Sequence, residues 1–264
     1  MKISVSTLGL YPATMENILD FVTEQKLDYL EVIKEYPYDE VGADVFESYD
    51  LGLSIHAPMS DVNIASHVKK IRDISVELMV DSFKLANDWG AERVVVHPGT
   101  IPIMALKYPE KILKYNVESL IKCQRAAQEY GVMMCVENMP LFERMLYTNV
   151  DALFDLVDNE IHSGITLDVG HAHNNGFAPE NMFKSDNIHH IHLSDNDGSY
   201  DMHHALGSHN IDFPKIFDIL KQKKYDDICV IEVRTLQGIL KSIDYLKDII
   251  RELCYNFNVF NIIK

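Results

Sequence analysis

Six side chains have the chemistry of metal ligands and share one kind of placement. His56, His97, Glu137, Asp168, His192 and Glu232 each close a short apolar run, such as Val94-Val95-Val96 before His97 or Ile165-Thr166-Leu167 before Asp168. Short apolar runs bounded by turn residues read as buried parallel strands. In a closed α/β barrel the C-terminal strand ends meet at one mouth, so six strand-end ligands would converge there without being neighbours in sequence. A lone His or Asp at a strand end is ordinarily a cap or a solvated group, a reading that does not account for six in succession. Carboxylates buried at such a mouth would be costly unless paired or metal-bound. Imidazole mixed with carboxylate suits zinc or manganese better than calcium, which takes oxygen ligands. His171, just past Asp168, and Asp201 with His203 in the loop after the seventh run extend the set.

The elements that must position these residues follow from periodicity. Val5 marks a first strand; Thr14 is an N-cap candidate, followed by Met15, Ile18, Leu19 and Val22 on one helix face. Tyr29–Ile33 reads as a second strand, with Glu31 expected at its tip. Ile71, Ile74, Leu78, Leu85 and Trp89 mark a long helix that stops at Gly90, and Leu113, Val117, Leu120 and Ile121 mark the next, ending near Gly131. Shorter helical stretches follow around Ala152 to Val157, near Met182, and at Ile216, Phe217 and Leu220. Ile239, Ile243, Leu246 and Ile250 mark the last helix. Eight strands alternating with helices predict a single (β/α)8 barrel, a TIM barrel, over residues 1–264, close to the ~250 residues typical of one. The tail 253–264 is apolar (Phe257, Val259, Phe260, Ile262, Ile263) and is expected to cover the barrel or a partner subunit.

Composition narrows the function classes. With 47% hydrophobic and 24% charged residues the chain is ordinary for a soluble globular protein, and no stretch has the ~20 apolar residues of a membrane span. Met1-Lys2-Ile3-Ser4-Val5 enters strand-like sequence directly, so no signal peptide is expected and the expected location is cytoplasmic. The four scattered cysteines fit buried free thiols in a reducing compartment. The net charge of −16 disfavours DNA as a partner, because an acidic surface repels a phosphate backbone. No Walker loop or G-x-G-x-x-G occurs, which argues against a nucleotide cofactor. The sequence does not decide between a monomer and a homo-oligomer.

The ligand-bearing strand ends, together with Asp201-Met202-His203-His204-Ala205-Leu206-Gly207, resemble the xylose-isomerase-like TIM barrel superfamily, from His56 to Glu232. This superfamily includes sugar isomerases and epimerases and endonuclease IV. In the isomerase and epimerase branch, the resemblance implies one divalent ion held by Glu137, Asp168, His192 and Glu232. Glu137 and Glu232 would then exchange the substrate proton while His171 polarises a sugar oxygen. In the endonuclease branch it implies three zinc ions: one on His56, His97 and Glu137, one on Glu137, Asp168, His192 and Glu232, and one on His171, Asp201 and His203. The expected cofactor is therefore one to three divalent ions per chain. Two departures stand out. The loop after the second strand, Lys34-Glu35-Tyr36-Pro37-Tyr38-Asp39-Glu40, is acidic where the endonuclease is basic. Ser194-Asp195-Asn196-Asp197 stands where the epimerase branch often has an arginine.

The leading expectation is a metal-dependent isomerase or epimerase of a small sugar, keto-sugar or sugar phosphate. A trinuclear zinc phosphodiesterase of the endonuclease IV kind is the alternative, and a non-enzymatic metal-binding barrel a third reading. Of the other histidines, His67, His162, His189 and His209 read as solvated or structural, and His173, His190 and His204 as candidates to orient ligands. Glu31 and Asn138 are candidate substrate contacts. Asp195 and Asp197 either orient His192 or decorate a loop. Trp89 reads as core.

Overall fold

The computed structural model describes the backbone of residues 1–255 and the side chains of residues 1–251. In chain order the elements are β1 Lys2–Ser6, α1 Met15–Glu24, β2 Tyr29–Ile33, β3 Gly52–His56, α2 Lys69–Trp89 and β4 Arg93–Val96. They continue with α3 Glu110–Tyr130, β5 Met133–Glu137, α4 Val150–Leu156, β6 Gly164–Asp168, α5 Val169–Asn174 and α6 Pro179–Met182. The last are β7 Ile188–Leu193, α7 Phe213–Gln222, β8 Ile228–Ile231 and α8 Leu236–Tyr255. The strands close in sequence order, β8 pairing back onto β1, and every pair is parallel. This is a single (β/α)8 barrel. The tail from Asn256 to Lys264, most of the apolar segment 253–264, lies outside the described residues.

Local chemistry explains the boundaries. The Thr14 hydroxyl accepts the Asn17 N–H and starts α1, whose Met15, Ile18, Leu19 and Val22 are all buried. Gly90 and Gly131 end α2 and α3 in the left-handed conformation that a side chain would resist. The core is the layer between strands and helices, where Phe83, Phe213 and Phe217 are its largest fully buried side chains.

The face of α2 differs from the one the periodicity indicates. Ile71 and Ile74 are exposed, at 47% and 57%, while Ser75, Met79, Ser82, Phe83, Ala86 and Trp89 turn inward. Two of these inward residues are small serines, and Ser75 accepts the Asn63 N–H from the loop after β3. Each hydroxyl bonds back to the carbonyl four residues earlier, so burying them leaves no donor unpaired. The expected outcome is a contrast within one helix. Phe83→Ala should cost about 3–5 kcal/mol through transfer and cavity terms, whereas Ile74→Lys should stay within about 0.5 kcal/mol, both read by urea unfolding.

Cys123, Cys135 and Cys229 are buried and unbridged, and burial pushes each thiol up to about 12. The Cys254 side chain lies outside the described residues. Among the described residues no helix is long and apolar enough to cross a membrane.

Candidate metal centre

The strand ends deliver their side chains to one mouth. His56, Glu137 and Asp168 are the last residues of β3, β5 and β6; His97 and Glu232 follow β4 and β8 by one residue; His192 is the penultimate residue of β7. Among the described residues, ligand-type atoms gather within 4.8 Å of one another in four groups, Glu31 with His190 and His192 inside the barrel and three more at the mouth. The three at the mouth are His56, His97 and Glu137; Glu137, Asp168, His192 and Glu232; and His171, Asp201 and His203. All nine residues singled out from the sequence are therefore brought together, with Glu137 shared by two groups.

Local structure sets which atom each residue presents. Asp168 caps α5: its Oδ1 accepts the His171 N–H at 2.6 Å, leaving the buried Oδ2 without a hydrogen-bond partner. Gly170 makes room for that turn, since a Cβ there would lie 2.6 Å from Ser194 Oγ. Asn138 ties β5 to β6, donating to the Asp168 carbonyl and accepting its N–H, so its side-chain amide serves the strands.

The imidazoles are oriented by their non-facing nitrogens. Nδ1 of His56 lies 2.8 Å from the Ala57 carbonyl, Nδ1 of His171 lies 2.8 Å from the Asn138 carbonyl, and Nδ1 of His203 lies 2.9 Å from the Glu232 carbonyl. A carbonyl only accepts, so each Nδ1 carries hydrogen and Nε2 is the atom turned to the carboxylates. Nε2 of His56 and of His97 face Glu137 Oε2 at 3.4 and 3.0 Å. Nε2 of His171 and of His203 face Asp201 Oδ2 at 3.5 and 2.9 Å. His203 adopts its place with a left-handed φ of 49°, an uncommon backbone for a non-glycine residue. His192 is turned the other way: its Nδ1 stands 3.2 Å from both Glu137 Oε1 and Glu232 Oε2.

The electrostatics follow from this burial of opposite charges. Burial would raise the Glu137 carboxyl, but His192, His97 and His56 outweigh it and hold it well below the usual range. Glu232 is lowered likewise, burial being outweighed mainly by His192 and His203. Asp168 is pushed up to about 6 by burial and by repulsion from Glu137 and Glu232, against the pull of His171. Burial alone would lower His171, yet Asp168, Asp201 and Glu137 raise it to about 10. His192 is raised well above its ordinary value in the same way, by Glu232, Glu31 and Glu137.

The residues present fit a divalent cation. Glu137 Oε2, Asp168 Oδ2 and Asp201 Oδ1 are buried carboxylate oxygens with no hydrogen-bond partner, costly in an interior unless a cation meets them. The donor set is mixed oxygen and imidazole nitrogen, as zinc and manganese take.

Several sequence expectations change. Glu31 does not sit at a strand tip facing substrate: it lies in the middle of β2, fully buried beneath the mouth. Strand alternation carries it into the barrel, where its Oε2 meets His190 Nε2 at 2.7 Å. Asp195 does not orient His192 but accepts the N–H groups of His209 and Ile211 and pairs with the His204 backbone, bracing the loop after β7. Asp197 is spent on Ser199. His189 is structural, its Nδ1 2.9 Å from Asp227 at the opposite end of the barrel. In the acidic loop after β2, Glu35 accepts the Met59 and Ser60 N–H groups and staples that loop to the next one.

Comparison with known proteins agrees with the barrel. An uncharacterized protein of Methanocaldococcus jannaschii, MJ1311, is 32% identical over 261 residues, spanning 94% of this chain and 89% of that protein. A second from the same organism, MJ1614, is 31% identical over 258 residues, spanning 95% of this chain and all of that protein. Among solved structures, a D-tagatose 3-epimerase-like protein superposes with a TM-score of 0.87 and 29% identity, covering 97% of this chain and 99% of its own. An L-ribulose 3-epimerase shares the fold with a TM-score of 0.75 at 18% identity, covering all of this chain and 88% of its own. The model of the xylose isomerase-like TIM barrel family matches residues 18–249, and this chain belongs to that family.

Proposed function

We propose that this protein is a divalent-metal-dependent epimerase or isomerase of a small keto-sugar. The observation that carries this reading is the placing of Glu137 and Glu232. Their carboxylates, from strands three apart round the barrel, each bring one oxygen within 3.2 Å of the same imidazole nitrogen, His192 Nδ1. Two carboxylates converging on one point of the mouth suit removal of a proton from one face of a carbon and return of a proton to the other. The names of the structural relatives, D-tagatose 3-epimerase-like protein and L-ribulose 3-epimerase, support a ketose, whose C3 proton is acidified by the neighbouring ketone.

Glu137, Asp168, His192 and Glu232 would hold the ion, which when bound supplies positive charge to the ketone and adjacent hydroxyl oxygens as negative charge develops there. One of Glu137 and Glu232, as the carboxylate, would take the proton from the carbon beside the ketone. The other, ionised in the ion-free protein, must first take up a proton from solvent and would then give it to the opposite face. His171, held protonated by Asp168 and Asp201, donates to a substrate oxygen. Protein freed of metal, then given manganese, cobalt, magnesium or zinc, is to be assayed on a panel of ketopentoses and ketohexoses. The expected result is epimer formation only with an ion present; ketoses unchanged with every ion would overturn the reading.

A second reading has its own observation. His56 and His97 around Glu137, and His171 and His203 around Asp201, form further ligand groups that a one-ion epimerase does not need. They suit a trinuclear zinc phosphodiesterase, in which these residues would hold further ions that would supply activation of water and charge stabilisation for hydrolysis of a phosphodiester. Two to three zinc ions per chain by native mass spectrometry, reduced in Asp201→Asn with His203→Ala, together with cleavage of abasic-site DNA or a small phosphodiester, would favour it. One ion per chain, insensitive to those replacements, would favour the epimerase.

A further inference from the structure

The geometry points to Glu31 as the residue that fixes His192 for metal binding, through a buried His190–Glu31–His192 chain beneath the mouth. This inference rests on the proposal that Glu137, Asp168, His192 and Glu232 hold an ion. His56, His171 and His203 are each oriented by a backbone carbonyl on Nδ1 and turn Nε2 to the carboxylates. His192 is reversed, turning Nδ1 to Glu137 and Glu232. Once Nδ1 is a ligand, Nε2 must carry the hydrogen, and that hydrogen needs an acceptor.

Among the described residues Glu31 offers one. Its Oε1 stands 3.2 Å from His192 Nε2 as an ion-pair contact, and neither atom makes a hydrogen bond in the ion-free protein, so each is free to meet the other once Nε2 carries the hydrogen. The other carboxylate oxygen is already spent: Oε2 meets His190 Nε2 at 2.7 Å and accepts the Ser54 hydroxyl at 3.2 Å. Ser54 and His190 thus hold the carboxylate with Oε1 directed at His192. His190 and His192 alternate along β7 and so share its inner face, while Glu31 reaches them from β2 across the barrel interior.

Stability gives a poor reason for the arrangement. Barrel interiors are ordinarily filled with branched apolar side chains, and a wholly buried ionic chain contributes little or less than its apolar replacement. A carboxylate behind a metal-bound imidazole has a definite use: it sets the tautomer, holds the ring plane and raises the basicity of the ligating nitrogen. Glu31 is accordingly a positioning residue, reaching no substrate and acting through His192.

The test titrates ion-free protein with manganese alone, following free Mn2+ by electron paramagnetic resonance, beside the melting temperature of each ion-free protein. Wild type is expected to bind, Glu31→Leu to bind about 10–100-fold more weakly, and Glu31→Gln to fall between, since its amide oxygen still accepts the Nε2 hydrogen. A Glu31→Leu protein that melts earlier but binds manganese as wild type does would make the chain merely structural and overturn the inference. Should Glu31→Leu not fold, the isosteric Glu31→Gln decides: several-fold weaker binding supports the inference and an unchanged Kd overturns it. Wild type that binds no manganese would instead remove the proposed metal site, and with it the role of Glu31.

Discussion

Glu232→Gln is expected to leave the fold intact and to weaken ion binding, since Glu232 is one of the four proposed ligands, while cutting turnover at saturating ion about 10²–10⁴-fold, the usual contribution of a general acid or base. The amide is close in size to the carboxylate and keeps an oxygen that can still face the ion beside His192 Nδ1, which lies 3.2 Å from Glu232 Oε2 in the ion-free protein. It cannot take up a proton. The check is kcat on the ketose converted by wild type, with the ion content of the variant measured alongside. A variant that holds its ion and turns over at the wild-type rate would contradict the role given to Glu232. The low protonation range of Glu137 and Glu232, maintained chiefly by His192 against burial, leaves both carboxylates ionised at neutral pH in the ion-free protein.

The second large effect is on ion affinity with pH. In the ion-free protein His192 is held protonated well above its ordinary value, by Glu232, Glu31 and Glu137 acting against burial. Its Nδ1 must lose that proton before it can bind an ion. Asp168, raised to about 6, adds a second proton only in acid. Manganese affinity is therefore expected to rise with pH above 6.5, by up to about tenfold per pH unit for as long as His192 stays protonated in the ion-free protein, as one proton leaves per ion. The same protonation stabilises the ion-free fold below the unfolded value near pH 6.5, and that contribution fades as pH climbs through the raised folded value. Thermal stabilisation by a fixed manganese concentration should accordingly grow from pH 6.5 to 8. Calorimetric titrations in two buffers of different ionisation enthalpy count the protons; affinity flat or falling over this range would contradict the account.

The parts legible in the sequence were those fixed by period and punctuation. An apolar run ended by His, Glu or Asp identified β3, β5 and β6, because the buried part of these parallel strands is mostly apolar and the charged or imidazole side chain comes where the strand ends at the mouth. Convergence of the six strand-end ligands then followed from barrel closure, while His171, Asp201 and His203 joined them as loop residues and through the family resemblance. The inner face of α2 was not legible, since apolar count favours Ile71 and Ile74 while the structure turns Ser75 and Ser82 inward. Glu31 was misplaced for a related reason. In a five-residue strand buried throughout, nothing in the sequence distinguishes a carboxylate beneath the mouth from one at its rim. The alternation His190-x-His192 did carry a signal, two imidazoles on one inner face, but its partner on β2 is 159 residues from His190 in sequence. Asp195 and Asn138 look like site residues by position, and their bonding to neighbouring backbone appears only in three dimensions.

The most direct measurement is solvent-deuterium exchange into a ketose by the manganese-loaded protein in D2O, followed by proton NMR at the carbon beside the ketone. The account predicts that epimer accumulates carrying deuterium at that carbon, because Glu137 and Glu232 exchange their protons with solvent between turnovers, and that Glu232→Gln abolishes it. Epimer formed without deuterium, or every ketose left with its carbon-bound proton by the ion-loaded protein, would contradict two-carboxylate proton transfer at this mouth.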